Sequence, residues 1–456
     1  MAVDRSRLPA LGIEPSFSFP DIRRQTLRNG LRAWTVEHRE VPVISAMLLV
    51  PVGAAADPAD RHGLAAITGD LLDEGCGDLD ALALHDALAR IGAQLDTEVG
   101  SDATLLAVTG LERFAPRAFE ILAEMAIRPR LEEREFTRVR DLRLNRLIQL
   151  RDMPPALAER AYIRLLYGTH PYGHLPIGSE ESLRASTVED VRGFHAWAYD
   201  PRRATVIAAG DAPHARLMSL IEQAFGSWAP SGTTDAVTAV NIGAPPQTPQ
   251  TRLQLIHRAG AAQSELRIGH ISVPRSSPDY HALVVLNLVL GGQFVSRINM
   301  NLREDKGLTY GARTSFDFRR GSGPFGLQAS VQSDATAAAV RESLYELRAI
   351  RGERPVTRQE LELGRAAVTR GYPRNFETAD QVGRAAAQLA LYDLPDDYFT
   401  TFVPKVLSLT EADITSAAAN HIHPDRLAAV IVGDRDTIGA SLEDVGLGSV
   451  SEVIPA

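Results

Sequence analysis

The chain has 456 residues, of which 45% are hydrophobic and 23% are charged, a composition typical of a folded globular protein and unlike that of a disordered or collagenous chain. Its net charge of −9 argues against general binding to the phosphate backbone of nucleic acids. The single cysteine, Cys76, excludes an intramolecular disulfide and a cysteine-built zinc or iron–sulfur site.

The longest apolar run, residues 41–56, is shorter than the ~20 residues of a membrane span and contains two prolines. We expect this run to form a buried strand, and we expect no association with a membrane. The N-terminus lacks the basic and then apolar pattern of a secretory signal. We therefore expect a cytoplasmic protein, or a periplasmic one if a signal peptide has been removed.

Short turn signals divide the first half of the chain into strands and helices. Asn29-Gly30 stands between two strand-like segments and predicts a tight β-hairpin. Gly100-Ser101-Asp102 predicts a second hairpin in an alternating segment. Between the two hairpins, apolar residues at helical spacing predict a helix that begins after Asp78 or Asp80 and ends at Gly92.

Two later segments complete this half. A long helix is predicted from Glu132 to about Asp152, where Pro154-Pro155 ends it. A buried strand is predicted to begin at Thr205. Adjacent hairpins with helices grouped between them predict an α+β fold, in which a mostly antiparallel sheet is covered by helices.

The first half of the sequence recurs in the second half. Residues 201–211 and 424–434 share a Pro, an Arg, a Gly and an Asp at a spacing of 223 residues (424 minus 201). Residues 187–191 recur at 410–414 with the same spacing. Two weaker matches follow the same order, 49–51 with 272–274 and 135–140 with 360–365. We predict two homologous domains in tandem.

The composition changes between the two copies. Residues 228–250 are rich in Pro, Gly, Ser, Thr and Ala and keep neither a helical nor a strand period, which is typical of an extended linker. We predict an N-terminal domain over residues 1–227, a linker over 228–250 and a homologous C-terminal domain over 251–456.

Common signatures of catalysis and cofactor binding are missing from the sequence. It contains no Walker-type phosphate loop, dinucleotide fingerprint, nucleophile elbow or His-Glu-x-x-His motif. His170 and His174 are four residues apart, but the intervening Pro and Gly disfavour a helix, and without a nearby acid a structural turn is favoured over a metal site. His421 and His423 could share a strand face, although no third ligand is evident.

Several segments resemble the zinc peptidase family that includes pitrilysin, insulysin and the mitochondrial processing peptidase. Residues 62–75 resemble the first helix of that family. The helix that ends at Gly92, the His-Pro-Tyr-Gly of residues 170–173 and the strand that ends at Gly210-Asp211 also match it. Because those peptidases consist of a duplicated α+β domain, the resemblance covers essentially the whole chain and agrees with the internal repeat.

The resemblance also identifies a departure from the family pattern. Active members carry His-x-x-Glu-His on the first helix, and a downstream Glu completes the zinc site. Ala66, Gly69 and Asp70 occupy the three motif positions, and Arg146 occupies the position of the downstream Glu. Ala and Gly offer no ligand atom, and Arg repels Zn²⁺. We expect no cofactor in this chain, and we expect zinc in a homologous partner subunit.

The second half carries the other element of the family pattern. There, a helix ends with Arg-Glu-x-x-Gly-Leu-x-Tyr, and its Arg and Tyr reach the zinc cleft. Arg303 and Tyr310 match this pattern, and Gly307 can take the left-handed conformation that ends a helix. The resemblance implies that both side chains donate to a peptide carbonyl in the active site of the partner. The alternative is a solvated helix end and a packing tyrosine.

Gly291 and Gly292 precede this element. Either they form a tight turn that the backbone requires, or they form a substrate-binding loop. The resemblance implies a non-catalytic subunit of a two-chain zinc metallopeptidase, which binds peptides together with its partner and has no complete active site of its own. A scaffolding relative without proteolysis is the second hypothesis, and a protein that binds peptides at a sheet edge is the third.

Overall fold

Two β-sheets, one in each half of the chain, organise the computed structural model, which describes residues 17–231, 240–246 and 251–453. The strands are β1 (Ile22–Thr26), β2 (Arg32–Glu37), β3 (Val43–Val50), β4 (Gly75–Cys76), β5 (Leu79–Asp80), β6 (Gln94–Val99), β7 (Thr104–Leu111), β8 (Thr205–Gly210), β9 (Arg252–His257), β10 (Gln263–Ile271), β11 (Thr309–Phe316), β12 (Pro324–Gln332), β13 (Ala428–Gly433) and β14 (Val450–Glu452).

Helices separate and cover these strands. They are α1 (Leu64–Leu71), α2 (Ala81–Arg90), α3 (Ala115–Ile127), α4 (Glu133–Arg151), α5 (Pro154–Tyr167), α6 (Glu180–Ala185), α7 (Val188–Ala198), α8 (His214–Phe225), α9 (Tyr280–Asn287), α10 (Arg297–Asn299), α11 (Thr336–Ala349), α12 (Arg358–Thr369), α13 (Ala379–Tyr392), α14 (Tyr398–Ser408), α15 (Glu411–His421) and α16 (Arg435–Leu442). Wide π-helical turns at Leu288–Gly292 and Met300–Asp305 connect α9, α10 and β11.

The predicted turns and helices of the first half are confirmed. β1 pairs antiparallel with β2 around Asn29-Gly30, and β6 pairs with β7 around residues 100–103. The Asp80 carboxylate accepts a hydrogen bond from Ala83 N at 2.8 Å and caps α2, so Asp80, not Asp78, is the capping residue. The apolar run at residues 41–56 contains the buried strand β3. Pro154 and Pro155 form the first turn of α5, so they begin a new helix just after α4 ends.

The two sheets share one topology. The strand order is β1-β2-β8-β3-β7-β6 in the first sheet and β14-β9-β13-β10-β12-β11 in the second, so five strands correspond and only the outer strands β1 and β14 differ. Most neighbours are antiparallel, and β2–β8, β9–β13 and β9–β14 are the parallel pairs. Matching capping boxes at Thr187 and Thr410 start α7 and α15. The predicted α+β class and tandem duplication are confirmed. Residues 228–231 and 240–246, the described parts of the predicted linker, form neither helix nor strand.

Each half contributes one helix to the sheet of the other half. α5, from the first half, packs on β10 and β13, whereas α13, from the second half, packs on β3 and β8. Alternate residues of β3 therefore enter different cores: Ala46 and Leu48 face the helices of their own half, and Met47 and Leu49 join the core that includes α13. This exchange explains why the central strands are apolar on both faces.

Glycines permit the close approach of the exchanged helices. A Cβ atom on Gly269 of β10 would lie 2.0 Å from the Phe325 carbonyl oxygen and 2.3 Å from the Tyr162 hydroxyl of α5. On the other side, a Cβ atom on Gly383 of α13 would lie 2.8 Å from Met47 Cε. The Tyr162 hydroxyl donates to the Phe325 carbonyl at 2.6 Å, which ties α5 to the second sheet.

A buried carboxylate joins the two halves at one end of the sheets. Asp102 Oδ1 accepts a hydrogen bond from the Tyr172 hydroxyl at 2.6 Å, and Asp102 Oδ2 accepts one from Arg320 N at 2.8 Å. The Tyr172 hydroxyl in turn accepts from Gly321 N at 3.0 Å. The β6–β7 turn of the first sheet is thus bonded to the β11–β12 turn of the second.

Among the described residues, one helical stretch, Tyr280–Asp305, has the length and apolar composition of a membrane span. More than half of it is buried inside the protein. The core helix of a globular fold has the same properties, so this stretch is weak support for a membrane segment.

Candidate functional site

Helix α1 carries the three positions of the degenerate metal motif, and its start is firmly fixed. Gly63 adopts a φ of 100° before the helix. The buried Asp57 carboxylate accepts hydrogen bonds from Gly63 N at 2.6 Å and Ala65 N at 2.7 Å. A carboxylate at a helix N-terminus satisfies amides that lack an intrahelical partner. The motif positions therefore lie on a well-supported scaffold.

Each of these positions is either packed against a neighbouring element or paired with another side chain. Ala66 is buried. A Cβ atom on Gly69 would lie 2.7 Å from Val99 Cγ2, so the neighbouring strand β6 fills the space of a larger side chain. Asp70 Oδ2 forms an ion pair with Arg143 Nε of α4 at 2.6 Å. Arg146 instead faces outward and donates to Gln149 Oε1 at 3.2 Å.

These residues do not fit a zinc ion. Of the three motif positions only Asp70 offers a ligand atom, and Arg143 already neutralises it. A guanidinium this close to the carboxylate repels a divalent cation. Arg143, about one helical turn before Arg146 on α4, makes the contact with the motif helix. Sequence reasoning missed Arg143 because the residue that pairs with Asp70 is distant from it in the chain.

Asp73, a carboxyl group near this ion pair in the chain, has a raised pKa. Burial, reinforced by the Glu74 carboxylate, raises the pKa of Asp73 to about 6. The Glu74 carboxylate itself pairs with Arg138 of α4. The end of α1 is therefore held to α4 by two arginine–carboxylate pairs, with Asp73 beside them.

The raised pKa of Asp73 predicts a pH-dependent stability. Between about pH 4 and 6 the folded protein binds a proton at Asp73 that the unfolded chain has released, so this contribution to stability is lost as the pH rises through that window. Relative to Asp73→Asn, the native chain should lose roughly 1–3 kcal/mol of unfolding free energy between pH 4.5 and 7.5. Urea unfolding at both pH values measures this difference. Equal pH dependence in the two proteins would contradict the prediction.

The histidines singled out from the sequence have structural partners. His174 Nε2 lies 3.1 Å from Asp57 Oδ2, and its ring stacks on His62 with centroids 3.9 Å apart. The expectation that no acid lies near this histidine is wrong, because the fold brings Asp57 to it from across the sequence. His421 ends helix α15 and bonds to Asp279 at 2.6 Å, so it does not share a strand face with His423.

A second group of potential metal ligands, near the end of β13, serves the start of α16. The group consists of His257, Asp434 and Asp436. Asp434 accepts hydrogen bonds from Gly260 N at 2.8 Å and from Asp436 N at 3.1 Å. His257 Nδ1 accepts one from Arg435 N at 3.0 Å. His257 and Asp434 already bond to backbone amides, and the Asp436 carboxylate pairs with the Arg435 guanidinium at 2.9 Å. We therefore assign the group to helix capping.

The two glycines of the second half stand where a helix meets strand β11. A Cβ atom on Gly291 would lie 2.6 Å from Thr314 Oγ1 and 2.7 Å from Thr314 N. A Cβ atom on Gly292 would lie 2.6 Å from Asn287 Nδ2. Close packing therefore requires glycine at both positions. A role in substrate binding stays a prediction.

Arg303 lies in the wide helical turn Met300–Asp305, and Gly307 ends that turn with a φ of 62°, as predicted. The Arg303 guanidinium stands 4.0 Å above the centre of the Phe294 ring, and its Nε lies 3.4 Å from Glu304 Oε1. The contact with Phe294 is a cation–π interaction. Departures from the regular α-helical ladder are common at functional sites.

Tyr310 lies in a β-bulge at the start of β11. The register between β11 and β12 shifts between Thr309 and Ala312, which leaves Tyr310 and Gly311 unpaired. Tyr310 is 91% exposed, whereas buried Asn299 fixes the strand just beyond the bulge by accepting a hydrogen bond from Ala312 N at 2.9 Å. A bulge re-aims a side chain. Here it turns the hydroxyl away from the protein.

Exposed apolar side chains lie on the segment that leads to Arg303. Phe294, Val295 and Met300 are exposed by 60%, 52% and 39%. Asn299 connects this surface internally, since its Nδ2 donates to Gln293 O at 3.1 Å and its Oδ1 accepts from β11. Asn299 is a positioning residue that sequence reasoning missed, because no motif identifies an asparagine that bonds to two segments.

Two family descriptions match this sequence. Residues 33–174 match "Insulinase (Peptidase family M16)", and residues 185–368 match "Peptidase M16 inactive domain". Together they take in well over half of the chain. The first match lies in the first half, and the second runs from the end of α6 in the first half to α12 in the second. The protein belongs to peptidase family M16. Within that family it is a member whose zinc motif positions hold Ala66, Gly69 and Asp70.

Relatives and solved structures agree with the M16 assignment. An uncharacterized zinc protease of Mycobacterium tuberculosis is 25% identical over 90% of this chain and 93% of its own length. The probable mitochondrial-processing peptidase subunit beta of Schizosaccharomyces pombe is 24% identical over 60% of each chain. The crystal structure of a peptidase M16 inactive domain from Pseudomonas fluorescens superposes with a TM-score of 0.84 at 23% identity, over 91% of this chain and 98% of that one. A protease from Helicobacter pylori gives the same TM-score at 21% identity, over 91% of this chain and 99% of that one.

Proposed function

We propose that this M16 protein is the non-catalytic subunit of a heterodimeric zinc metallopeptidase. A homologous subunit with an intact zinc motif supplies the metal, and this chain supplies Arg303 and Tyr310 to peptides held between the two. The observation that carries the proposal is the exposure of both side chains, 91% for Tyr310 and partial for Arg303, on the two sides of the turn at Gly307. The motif positions of the same chain offer no ligand set for zinc.

The exposure of the two side chains suits a role as hydrogen-bond donors to a bound peptide. A guanidinium and a phenol are both hydrogen-bond donors at neutral pH. Donors aimed at the carbonyl oxygen of a peptide stabilise the negative charge that develops when water attacks it. The Phe294 ring contacts one face of the Arg303 guanidinium, and the N–H groups at the edge of the guanidinium plane can donate to such an oxygen.

The apolar surface around the pair supports a docked partner. Phe294, Val295 and Met300 expose aromatic and aliphatic groups on the segment that leads to Arg303, and the Phe294 ring contacts the Arg303 guanidinium. Interface cores are enriched in aromatic residues, Met and Arg. A scaffolding protein has no use for two exposed donors in such a setting, which favours the subunit role over the scaffolding one.

The isolated chain should bind no stoichiometric zinc. The Asp70–Arg143 ion pair and the small side chains of Ala66 and Gly69 leave the motif helix without a ligand set. Elemental analysis of the purified chain should find far less than one zinc per molecule. About one tightly held zinc per chain, lost in an Asp70→Ala variant, would falsify this prediction.

Mixing this chain with a homologue that carries the complete zinc motif tests the proposed function. We expect a stable complex in size-exclusion chromatography and a peptidase activity that neither chain shows alone. A homologue that is fully active alone and unaffected by this chain would refute the proposal. A stable complex without any peptidase activity would favour the scaffolding role instead.

A further inference from the structure

A half-open cleft of about 590 Å³ lies between the two halves, and its lining includes neither Arg303, Tyr310 nor any residue of the motif helix. Its walls come from the β6–β7 turn, the β11–β12 turn and helix α13, together with Leu49 of β3 and the segment that leads into α9. Ligand sites occur preferentially at such domain junctions, and this volume is in the range of small-molecule and short-peptide sites. The proposed peptidase role does not use this cleft.

Two buried arginines stand in the cleft wall. Arg275 and Arg319 are only 6% and 8% exposed. Their backbones are fixed to each other, since Arg275 N donates to the Arg319 carbonyl oxygen at 2.8 Å. Buried guanidinium groups are rare without a carboxylate or other acceptor, because removing their hydration costs free energy.

Arg275 is held by aromatic rings and not by an acid. Its guanidinium carbon lies 3.6 Å from the centre of the Tyr280 ring, 4.7 Å from that of Tyr398 and 5.8 Å from that of Tyr392. Among the described residues no carboxylate lies within ion-pair distance of Arg275. The rings orient the charge and leave its N–H groups without an anionic partner.

Arg319 retains one unused donor. Its Nε and Nη2 bind the Asp317 carboxylate at 2.8 and 2.7 Å, whereas its buried Nη1 has no hydrogen-bond partner among the described residues. An unsatisfied donor on a buried charged group is costly. An acceptor entering the cleft would relieve this cost after a small rotation of the guanidinium.

The acidic residues of the cleft are already engaged. Asp317 binds Arg319, and both oxygens of Asp102 accept hydrogen bonds from Tyr172 and Arg320. Glu98 pairs with Arg384, the third arginine of the wall, at 3.1 Å. None of these carboxylates therefore pairs with Arg275, and among the described residues of the cleft wall the guanidinium donor without a partner is Arg319 Nη1.

The remaining wall is apolar. Leu49, Leu105, Phe316, Phe318 and Leu391 line the cleft beside the tyrosines. We propose that the cleft binds the C-terminal carboxylate of a peptide whose last side chain is apolar. The carboxylate lies between Arg275 and Arg319, and the side chain packs on the leucines and phenylalanines. A volume of about 590 Å³ exceeds the need of one amino acid, which favours a peptide over a free amino acid.

Titration calorimetry on the full chain tests this site with N-acetyl-Ala-Ala-Leu carrying either a free carboxyl group or a C-terminal amide. We expect the acid to bind and the amide to bind at least about 10-fold more weakly, since a charge-assisted bond is lost. Arg275→Gln and Arg319→Gln should each weaken binding of the acid about 10- to 100-fold. Free leucine should bind more weakly than the tripeptide acid.

Arg384→Gln is the matched control, because Arg384 lines the same cleft but is saturated by Asp96, Glu98 and Asp380. It should leave the affinity for the acid nearly unchanged. Equal affinity for acid and amide, no heat with the acid at about 5 mM, or an equal loss in Arg384→Gln would each overturn the proposal. Leucine that binds as tightly as the tripeptide would overturn the peptide as ligand. If Arg319→Gln fails to fold, Arg319→Lys and the comparison of acid with amide on the native chain decide.

Discussion

Tyr310→Phe should lower peptide turnover by the assembled complex about 10²–10³-fold, the loss typical of one oxyanion donor. The substitution removes one hydroxyl group from a side chain that is 91% exposed, so assembly and thermal stability should hardly change. Arg303→Ala should be at least as severe, because it removes a charge-assisted donor. Steady-state kinetics of the reconstituted complex measure both effects.

Three comparisons separate this role from a general surface effect. The double variant should lose less than the product of the two single losses, since both donors act on one oxygen. Arg303→Lys should fail to restore turnover, because lysine lacks the planar fork of donors. Tyr345→Phe and Arg341→Ala, which alter an exposed tyrosine and an exposed arginine of α11, are matched controls and should be neutral. A double variant that assembles and cleaves at the native rate would make the pair a solvated helix end and a packing tyrosine.

Gly269→Ala should lower the free energy of unfolding by about 2–4 kcal/mol, a large effect for one methyl group. The added carbon would lie 2.0 Å from the Phe325 carbonyl oxygen and 2.3 Å from the Tyr162 hydroxyl. Both are held in place by the hydrogen bond between them, so β10 and α5 must separate. Denaturant unfolding measures the loss.

Gly193→Ala is the matched control for this substitution. Gly193 lies on the exposed face of α7, and a Cβ atom there would meet nothing within 4 Å. Alanine in a helix interior is favoured over glycine by about 1 kcal/mol, so this variant should be slightly more stable than the native protein. If Gly269→Ala changed the free energy of unfolding no more than Gly193→Ala does, the contact between α5 and β10 would be loose.

Local signals in the sequence predicted much of the fold. Asn29-Gly30 predicts its hairpin because few residues other than Gly and Asn tolerate that turn, and Asp80 is a cap recognisable by residue type. The tandem repeat was predicted from sequence matches that recur in the same order at nearly the same spacing along the chain. The exchange of α5 and α13 was not predicted, because an amphipathic helix carries no mark of which sheet it will cover.

The candidate site was predicted in its residue types and less well in its geometry. The resemblance to the M16 family selected Arg303 and Tyr310, and the structure adds the bulge, the Phe294 contact and the bonds of Asn299. The Asp70–Arg143 pair could not be read from the sequence, since 73 residues separate its members. The cleft walls come from several segments that are distant in the chain, and no pattern within any one of them indicates a shared cavity.

The exchanged helices also govern the order in which the protein is completed during translation. The last strand of the first sheet ends at Gly210, but α13 begins only at Ala379, so 169 further residues (379 minus 210) must be synthesised before that helix exists. At about 5–20 residues per second this takes on the order of 10–30 s. Throughout that time the apolar face that includes Met47 and Leu49 has no native cover. Such transiently exposed apolar surface makes the unfinished chain prone to aggregate until α13 covers it.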